Sequence, residues 1–94
     1  MTISTATQEA AAGVTGSYSY AVQDTALYSL VLQITSDIQT DGVIKISNVS
    51  IAQQYFVYKY QCLVFTARMN KGTAITFQFN NASTTGIFIV TKLT

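Results

Sequence analysis

Hydrophobic and polar residues alternate along most of the chain with a period of two, as at Leu30, Leu32 and Ile34. This period predicts β-strands, and the valine, isoleucine, threonine, tyrosine and phenylalanine that dominate after residue 17 favour them. Helical periodicity appears nowhere after residue 16. The seven predicted strands are 18–23, 27–38, 43–49, 54–59, 62–69, 73–79 and 86–93.

Three loops predict antiparallel hairpins. Loop 40–42 contains Asp-Gly, a hairpin signal. The hairpin would place Ile38 opposite Ile44. A hairpin at loop 70–72 would place Phe65 opposite Phe77. Loop 81–85 would then lead to a third strand of the same sheet. A jelly-roll route that sends the last strand to the opposite sheet fits the same alternation. The apolar side chains expected in the core are Leu63, Phe65, Ile75, Phe77, Phe79, Ile87, Ile89 and Leu93.

A second set of apolar side chains lies outside this predicted core. Cys62, Val64, Phe88 and Val90 fall on the reverse face of the same strands. A solvent-exposed patch of this kind is costly, so burial against another copy or a larger partner is the simpler account. A second sheet that covers this face would also bury it.

Segment 55–60 holds four aromatic residues in six positions, more than a core this small accommodates. The alternation changes phase at 59–61, which predicts a bulge or a corner. We expect tyrosines to face outward here, where the ring gives contact area and the hydroxyl keeps a polar partner. Such a group suits a subunit interface or a platform on which sugars stack. The candidate interface residues are Tyr55, Tyr58, Tyr60, Val64, Phe88 and Val90.

The first 16 residues are rich in threonine, alanine, serine and glycine, and they predict an extended, flexible N-terminal arm before one domain at 17–94. No lysine or arginine precedes a hydrophobic block, so no signal peptide is expected. No run of 18 apolar residues is present, so no transmembrane segment is expected either.

Charge is scarce in the 94-residue sequence: charged residues make up 10% and the net charge is +1. Five scattered lysine and arginine residues form no basic stripe, which argues against nucleic-acid binding. Serine, threonine, asparagine and glutamine contribute 34 residues, so the polar surface is mostly neutral. Little like-charge repulsion keeps such copies apart, and we expect self-association.

Catalytic chemistry is not indicated. Histidine is absent, which removes the usual nucleophile–base pairs and zinc sets, and the five glycines form no phosphate loop. We predict no enzyme activity, no cofactor and no metal site. Cys62 is the single cysteine, expected to be a small buried residue of a strand.

These observations predict an all-β, antiparallel β-sandwich, jelly-roll-like, of six to eight short strands. The closing stretches Lys71-Gly-Thr-Ala-Ile-Thr-Phe-Gln-Phe and Gly86-Ile-Phe-Ile-Val-Thr-Lys-Leu resemble the last two strands of trimeric jelly-roll heads in tailed bacteriophages. The resemblance to these decoration and fibre-head proteins implies a homotrimer that packs on a capsid or tail, assembled in the host cytoplasm and located in the virion.

Two other functions remain open. The first is a carbohydrate- or receptor-binding fibre-tip module that stacks a glycan on Tyr55, Tyr58 and Tyr60. The second is an extracellular, pilin-like filament subunit whose N-terminal arm completes the sheet of a neighbouring copy.

Overall fold

The computed structural model describes residues 6–94 as two four-stranded antiparallel sheets packed face to face. The expected antiparallel sandwich is therefore confirmed, with one strand more than the seven predicted. Residues 6–94 contain no helix, hence none long and apolar enough to cross a membrane. The strands are β1 (Thr7–Thr15), β2 (Ser17–Ala21), β3 (Ala26–Ile34), β4 (Thr40–Ile46), β5 (Val49–Phe56), β6 (Cys62–Met69), β7 (Ala74–Phe79) and β8 (Thr85–Lys92).

The strand order is that of a jelly-roll sandwich. Sheet A has the order β1-β8-β3-β6, and sheet B has the order β2-β7-β4-β5. Within the described chain, β4 and β5 are the only consecutive strands that share a sheet. Every other connection between consecutive strands crosses from one sheet to the other, so each sheet is assembled from distant parts of the sequence.

The three predicted hairpins are wrong. Asp41 and Gly42 lie inside β4 rather than in a loop, and β4 pairs with β5 and β7 instead of β3. A turn does form at 70–72, where the Thr73 amide donates to the Asn70 carbonyl, but it leads from sheet A to sheet B. Consequently Phe65 pairs with Leu30, and Phe77 pairs with Ile44 and with Tyr18.

The alternation nevertheless identifies part of the core, on β6 and β7. Leu63, Ile75, Phe77 and Phe79 are buried, and Phe65 packs against them half-buried. An alternating strand shows which side chains face inward, whether its neighbour in sequence lies beside it or in the facing sheet. The inner residues of β6 and β7 are therefore the predicted ones, although the two strands do not pair.

The last strand has the opposite phase to the one predicted. Phe88 and Val90 are buried, while Ile87, Ile89 and Leu93 are only half-buried. The Phe88 ring stacks on Phe77 of the facing sheet, with 4.8 Å between ring centroids. The prediction extended the β7 register through loop 81–85, but β8 lies in the other sheet, so that register does not constrain it. The jelly-roll route left open above is the one observed.

The extended N-terminal arm is not supported over the described residues. Thr7–Thr15 form β1, an edge strand that pairs with β8 of the same chain. Val14 is buried in the core, which anchors one end of the strand. Residues 1–5 of the predicted arm lie outside the described part of the chain.

Gly42 allows a close approach inside the core rather than a turn. It is buried in β4, and a Cβ atom built on it would collide with the Phe56 ring. The true hairpin turn, between β4 and β5, consists of Ser47 and Asn48, whose φ angles are 51° and 66°. Two positive φ values define the turn type whose twist matches that of the flanking strands.

Candidate functional site

The exposed tyrosines lie along one edge of the sandwich. Tyr55 is on β5, the edge strand of sheet B, and Tyr58 and Tyr60 are in the connection to β6, the edge strand of sheet A. These residues are 53%, 72% and 61% exposed respectively. The expectation that tyrosines of this segment face outward is confirmed, and so is the corner at 59–61, where Tyr60 has a φ of 72°.

Hydrogen bonds hold the connection at 57–61 in one conformation. The Gln61 side-chain oxygen accepts from the amides of Val57 at 2.6 Å and Tyr58 at 2.8 Å. The Tyr60 amide donates to the Ile34 carbonyl at 2.8 Å, and the Tyr60 carbonyl accepts from the Gln33 side chain at 3.1 Å. A loop fixed on both sides presents its rings without a large ordering cost on binding.

Polar groups surround Tyr55 on the outer face of sheet B. Asp41 is its cross-strand partner on β4, so the two side chains share that face. Asn80 holds the Asp41 backbone through an amide hydrogen bond of 3.0 Å, and its side chain lies 3.4 Å from the Asp41 carboxylate. The Tyr55 hydroxyl lies 3.5 Å from the Gln39 side-chain oxygen. An exposed ring is thus bordered by a carboxylate and two amides.

The other predicted interface residues do not join this group. Val64 is 58% exposed, but it lies on the outer face of sheet A. Phe88 and Val90 are buried in the core and cannot contribute to any surface, because β8 turns these side chains toward sheet B. Cys62, expected to be buried, is exposed at the start of β6.

A carboxylate–tyrosine cluster that the sequence analysis missed lies at the other end of β3. Glu9 accepts hydrogen bonds from the hydroxyls of Tyr20 at 2.6 Å and Tyr28 at 2.7 Å. The Tyr28 hydroxyl also accepts from the Asp24 amide at 3.2 Å. Asp24 in turn forms an ion pair with Lys92 at 3.2 Å. The cluster joins β1, β2, β3 and β8, so its role is to hold strands together.

The register of β1 explains how Glu9 reaches this cluster. The pairing with β8 shifts between Gln8 and Ala10, which leaves Glu9 as the extra residue of a β-bulge. Bulges change the direction of a side chain, and this one turns Glu9 toward Tyr20 and Tyr28. Alternation alone gives no sign of it; the only hint in the sequence is an isolated acid in a neutral segment.

Catalytic and metal-binding arrangements are not evident in the part of the chain described. Residues 6–94 enclose no pocket, and no three histidine, cysteine, aspartate or glutamate side chains among them lie close enough to hold a metal ion. The exposed features of residues 6–94 are Tyr55, Tyr58 and Tyr60, which we call the tyrosine edge, and the outer faces of the two sheets.

Comparison with known proteins identifies the fold but no family. No family model matches the chain, and no curated protein does. Among solved structures, rabbit GITRL is similar with a TM-score of 0.67 at 14% identity, over 81% of this chain and 71% of that one. A family 35 carbohydrate-binding module from Clostridium thermocellum is similar with a TM-score of 0.59 at 11% identity, over 80% and 68%. At such identities the likeness shows a shared jelly-roll fold alone.

Proposed function

We propose that this chain is a non-enzymatic carbohydrate-binding module whose site is the tyrosine edge of Tyr55, Tyr58 and Tyr60. The observation that carries the proposal is the exposure of three tyrosine rings within six residues, on a strand end and a loop that Gln61 holds in place. Similarity of fold to a carbohydrate-binding module supports it. The exposed rings are not needed for the core, which Phe56, Phe77, Phe79 and Phe88 already fill.

The chemistry of the edge suits a neutral sugar. A pyranose ring has an apolar face of C–H groups, which packs on an aromatic ring, and a rim of hydroxyls, which needs polar partners. Tyrosine supplies a rigid ring together with a hydroxyl at low entropic cost. Asp41, Asn80 and Gln39 beside Tyr55 offer acceptors and donors for the hydroxyls.

The exposure of the rings also indicates how the ligand would lie. Tyr58 and Tyr60 are largely exposed in the connection between two edge strands, and no pocket is found among the described residues. A ligand there is covered on one side only, so affinity would come from several sugar rings that contact several tyrosines. We therefore propose an oligosaccharide or polysaccharide chain as the ligand, rather than a single enclosed sugar.

A glycan array followed by titration calorimetry tests this function. We expect Tyr58→Ala to weaken glycan binding about tenfold or more, as loss of a central aromatic contact does. Tyr58→Phe keeps the ring and should retain most of the affinity. Val49→Ala is the matched control, because Val49 is exposed on the same strand about 20 Å from Tyr55. Glycan binding that survives replacement of all three tyrosines by alanine would contradict the proposal.

The other functions expected from the sequence have less support. The neighbours reported above are not phage proteins, and the capsid decoration role, the trimer and the virion location stay predictions. A filament built by exchange of the N-terminal arm also stays a prediction, but Thr7–Thr15 already complete a sheet of their own chain.

A further inference from the structure

The outer face of sheet A carries a row of apolar side chains that crosses all four strands. Ala11 of β1 pairs with Ile89 of β8, Ile89 pairs with Val31 of β3, and Val31 pairs with Val64 of β6. Directly paired residues point to the same side of a sheet, so the four side chains form one continuous stripe. We call this row, with Ile87 beside it, the apolar stripe.

The rows on either side of the stripe contain no charge. One consists of Gly13, Ile87, Gln33 and Cys62, and the other includes Thr91, Ser29 and Thr66. Arg68, paired with Leu27 at the far end of β6, is the one charged side chain that the register places on this face within the described strands. The centre of the face is therefore apolar, and its surroundings are neutral.

The outer face of sheet B is different, although it also consists of four strands. Its central rows read Ser19, Thr76, Lys45, Ser50 and Ser17, Gln78, Val43, Gln53. Hydroxyls and amides dominate there, and Ser19 hydrogen-bonds Thr76 across the strands at 3.1 Å. Apolar residues are thus more concentrated on the outer face of sheet A than on that of sheet B, which is typical of a surface that is covered by a partner.

From this asymmetry we propose that two copies of this chain associate face to face through the apolar stripe of sheet A. An apolar sheet face packs against another apolar sheet face about 10 Å away, and a second copy supplies one with the same shape. A net charge of +1 gives the copies little mutual repulsion. The proposal is independent of the glycan site, which lies on the edge of the sandwich.

The area of the face fits a reversible dimer. Four strands about 4.8 Å apart, with about eight residues each rising about 3.3 Å, cover roughly 500 Å². Two such faces would together bury roughly 1,000 Å², at the lower end for specific protein–protein interfaces. We therefore expect monomer and dimer to exchange with concentration. A two-fold, face-to-face contact closes at two copies.

Sedimentation velocity from micromolar to millimolar concentration, in the presence of a reducing agent, tests the proposal. The reducing agent prevents disulfide cross-linking through the exposed Cys62. We expect a dimer that dissociates on dilution. Val64→Lys and Ala11→Lys each place a charge at one end of the apolar stripe and should shift the dissociation constant upward at least tenfold.

Two controls keep the result interpretable. Gln53→Lys adds the same charge to the exposed outer face of sheet B and should leave the dimer unchanged. Circular dichroism melting of each variant shows whether it is folded; both stripe residues are exposed, so we expect native melting. A monomer at millimolar concentration, a trimer, or a dimer that survives both stripe variants would overturn the proposal.

Discussion

The buried Tyr28 hydroxyl donates a 2.7 Å hydrogen bond to the Glu9 carboxylate, which couples an edge strand to the centre of sheet A. The second oxygen of the same carboxylate accepts from Tyr20 on β2 of sheet B and from the Gln23 amide. One side chain therefore connects the two sheets and the connection between β2 and β3. In a chain with four acids, this one has a defined structural role.

Removal of the Glu9 charge should weaken the fold. Hydrogen bonds to a charged acceptor are about twice as strong as neutral ones, and we expect Glu9→Gln to lower the free energy of unfolding by about 1–2 kcal/mol. Asp37→Asn makes the same charge change at an exposed position and should alter stability by less than about 0.5 kcal/mol. Urea denaturation measures both, and equal effects would contradict the role given to Glu9.

The same cluster predicts a loss of stability at alkaline pH. Burial, and then the hydrogen bond to Glu9, raise the pKa of Tyr28 to about 12, and the same two causes raise the pKa of Tyr20. In the unfolded chain both hydroxyls ionise near their ordinary pKa of about 10. The unfolded state then binds fewer protons than the folded state, so the contribution of Tyr28 is complete below about pH 10 and falls as pH rises toward about 12.

Denaturation midpoints at about pH 9 and about pH 11 measure this effect. Tyr28→Phe should reduce the alkaline loss, since phenylalanine has no proton to release in the unfolded chain. Tyr58→Phe removes an exposed hydroxyl and should leave the loss as it is in the parent. An identical pH profile for the parent and Tyr28→Phe would show that the raised pKa does not contribute.

The positions of the strands could be predicted from the sequence better than their pairing. Seven of the eight strands overlap a segment predicted from alternation and β-forming residues, although β4 and β5 begin and end three to five residues earlier than predicted. The buried positions of β6 and β7 follow from the same pattern. Pairing did not follow, because a glycine turn such as 70–72 serves equally for a hairpin and for a crossing between sheets. Gly42 shows the same ambiguity: a turn signal in the sequence proved to be space for the Phe56 ring.

Some residues of the candidate site were predicted correctly and others were not, for similar reasons. Tyr55, Tyr58 and Tyr60 were expected outside because a small core has no room for all of them, an argument from volume that needs no register. Phe88 and Val90 were misplaced because their assignment depended on a register between β7 and β8. Glu9 was missed because a bulge, which alternation does not indicate, directs its side chain.

Phe88 is a core residue, so its replacement should affect the stability of the fold. Its ring lies between Phe77, at 4.8 Å, and Tyr18, at 4.9 Å between centroids, so Phe88→Ala should lower the free energy of unfolding by about 3–5 kcal/mol. Val64→Ala, at an exposed position, should change stability by less than about 0.5 kcal/mol. Chemical denaturation at a concentration where the protein is monomeric compares them. A small loss for Phe88→Ala would contradict the burial of β8 against sheet B.

Substitutions in the turn between β4 and β5 should be able to stabilise the fold. Ser47 and Asn48 both have positive φ, a conformation that costs most side chains about 1–2 kcal/mol and that asparagine and glycine adopt readily. The pair Asn-Gly is the preferred sequence for such a two-residue hairpin. We therefore expect the double substitution Ser47→Asn, Asn48→Gly to raise the free energy of unfolding by about 0.5–1 kcal/mol.

Asn48→Val, which puts a β-branched residue at positive φ, should lower the free energy of unfolding by about 1–2 kcal/mol. Thermal melting of the three proteins is the measurement, and a gain from Asn48→Val would mean that the turn does not adopt this conformation.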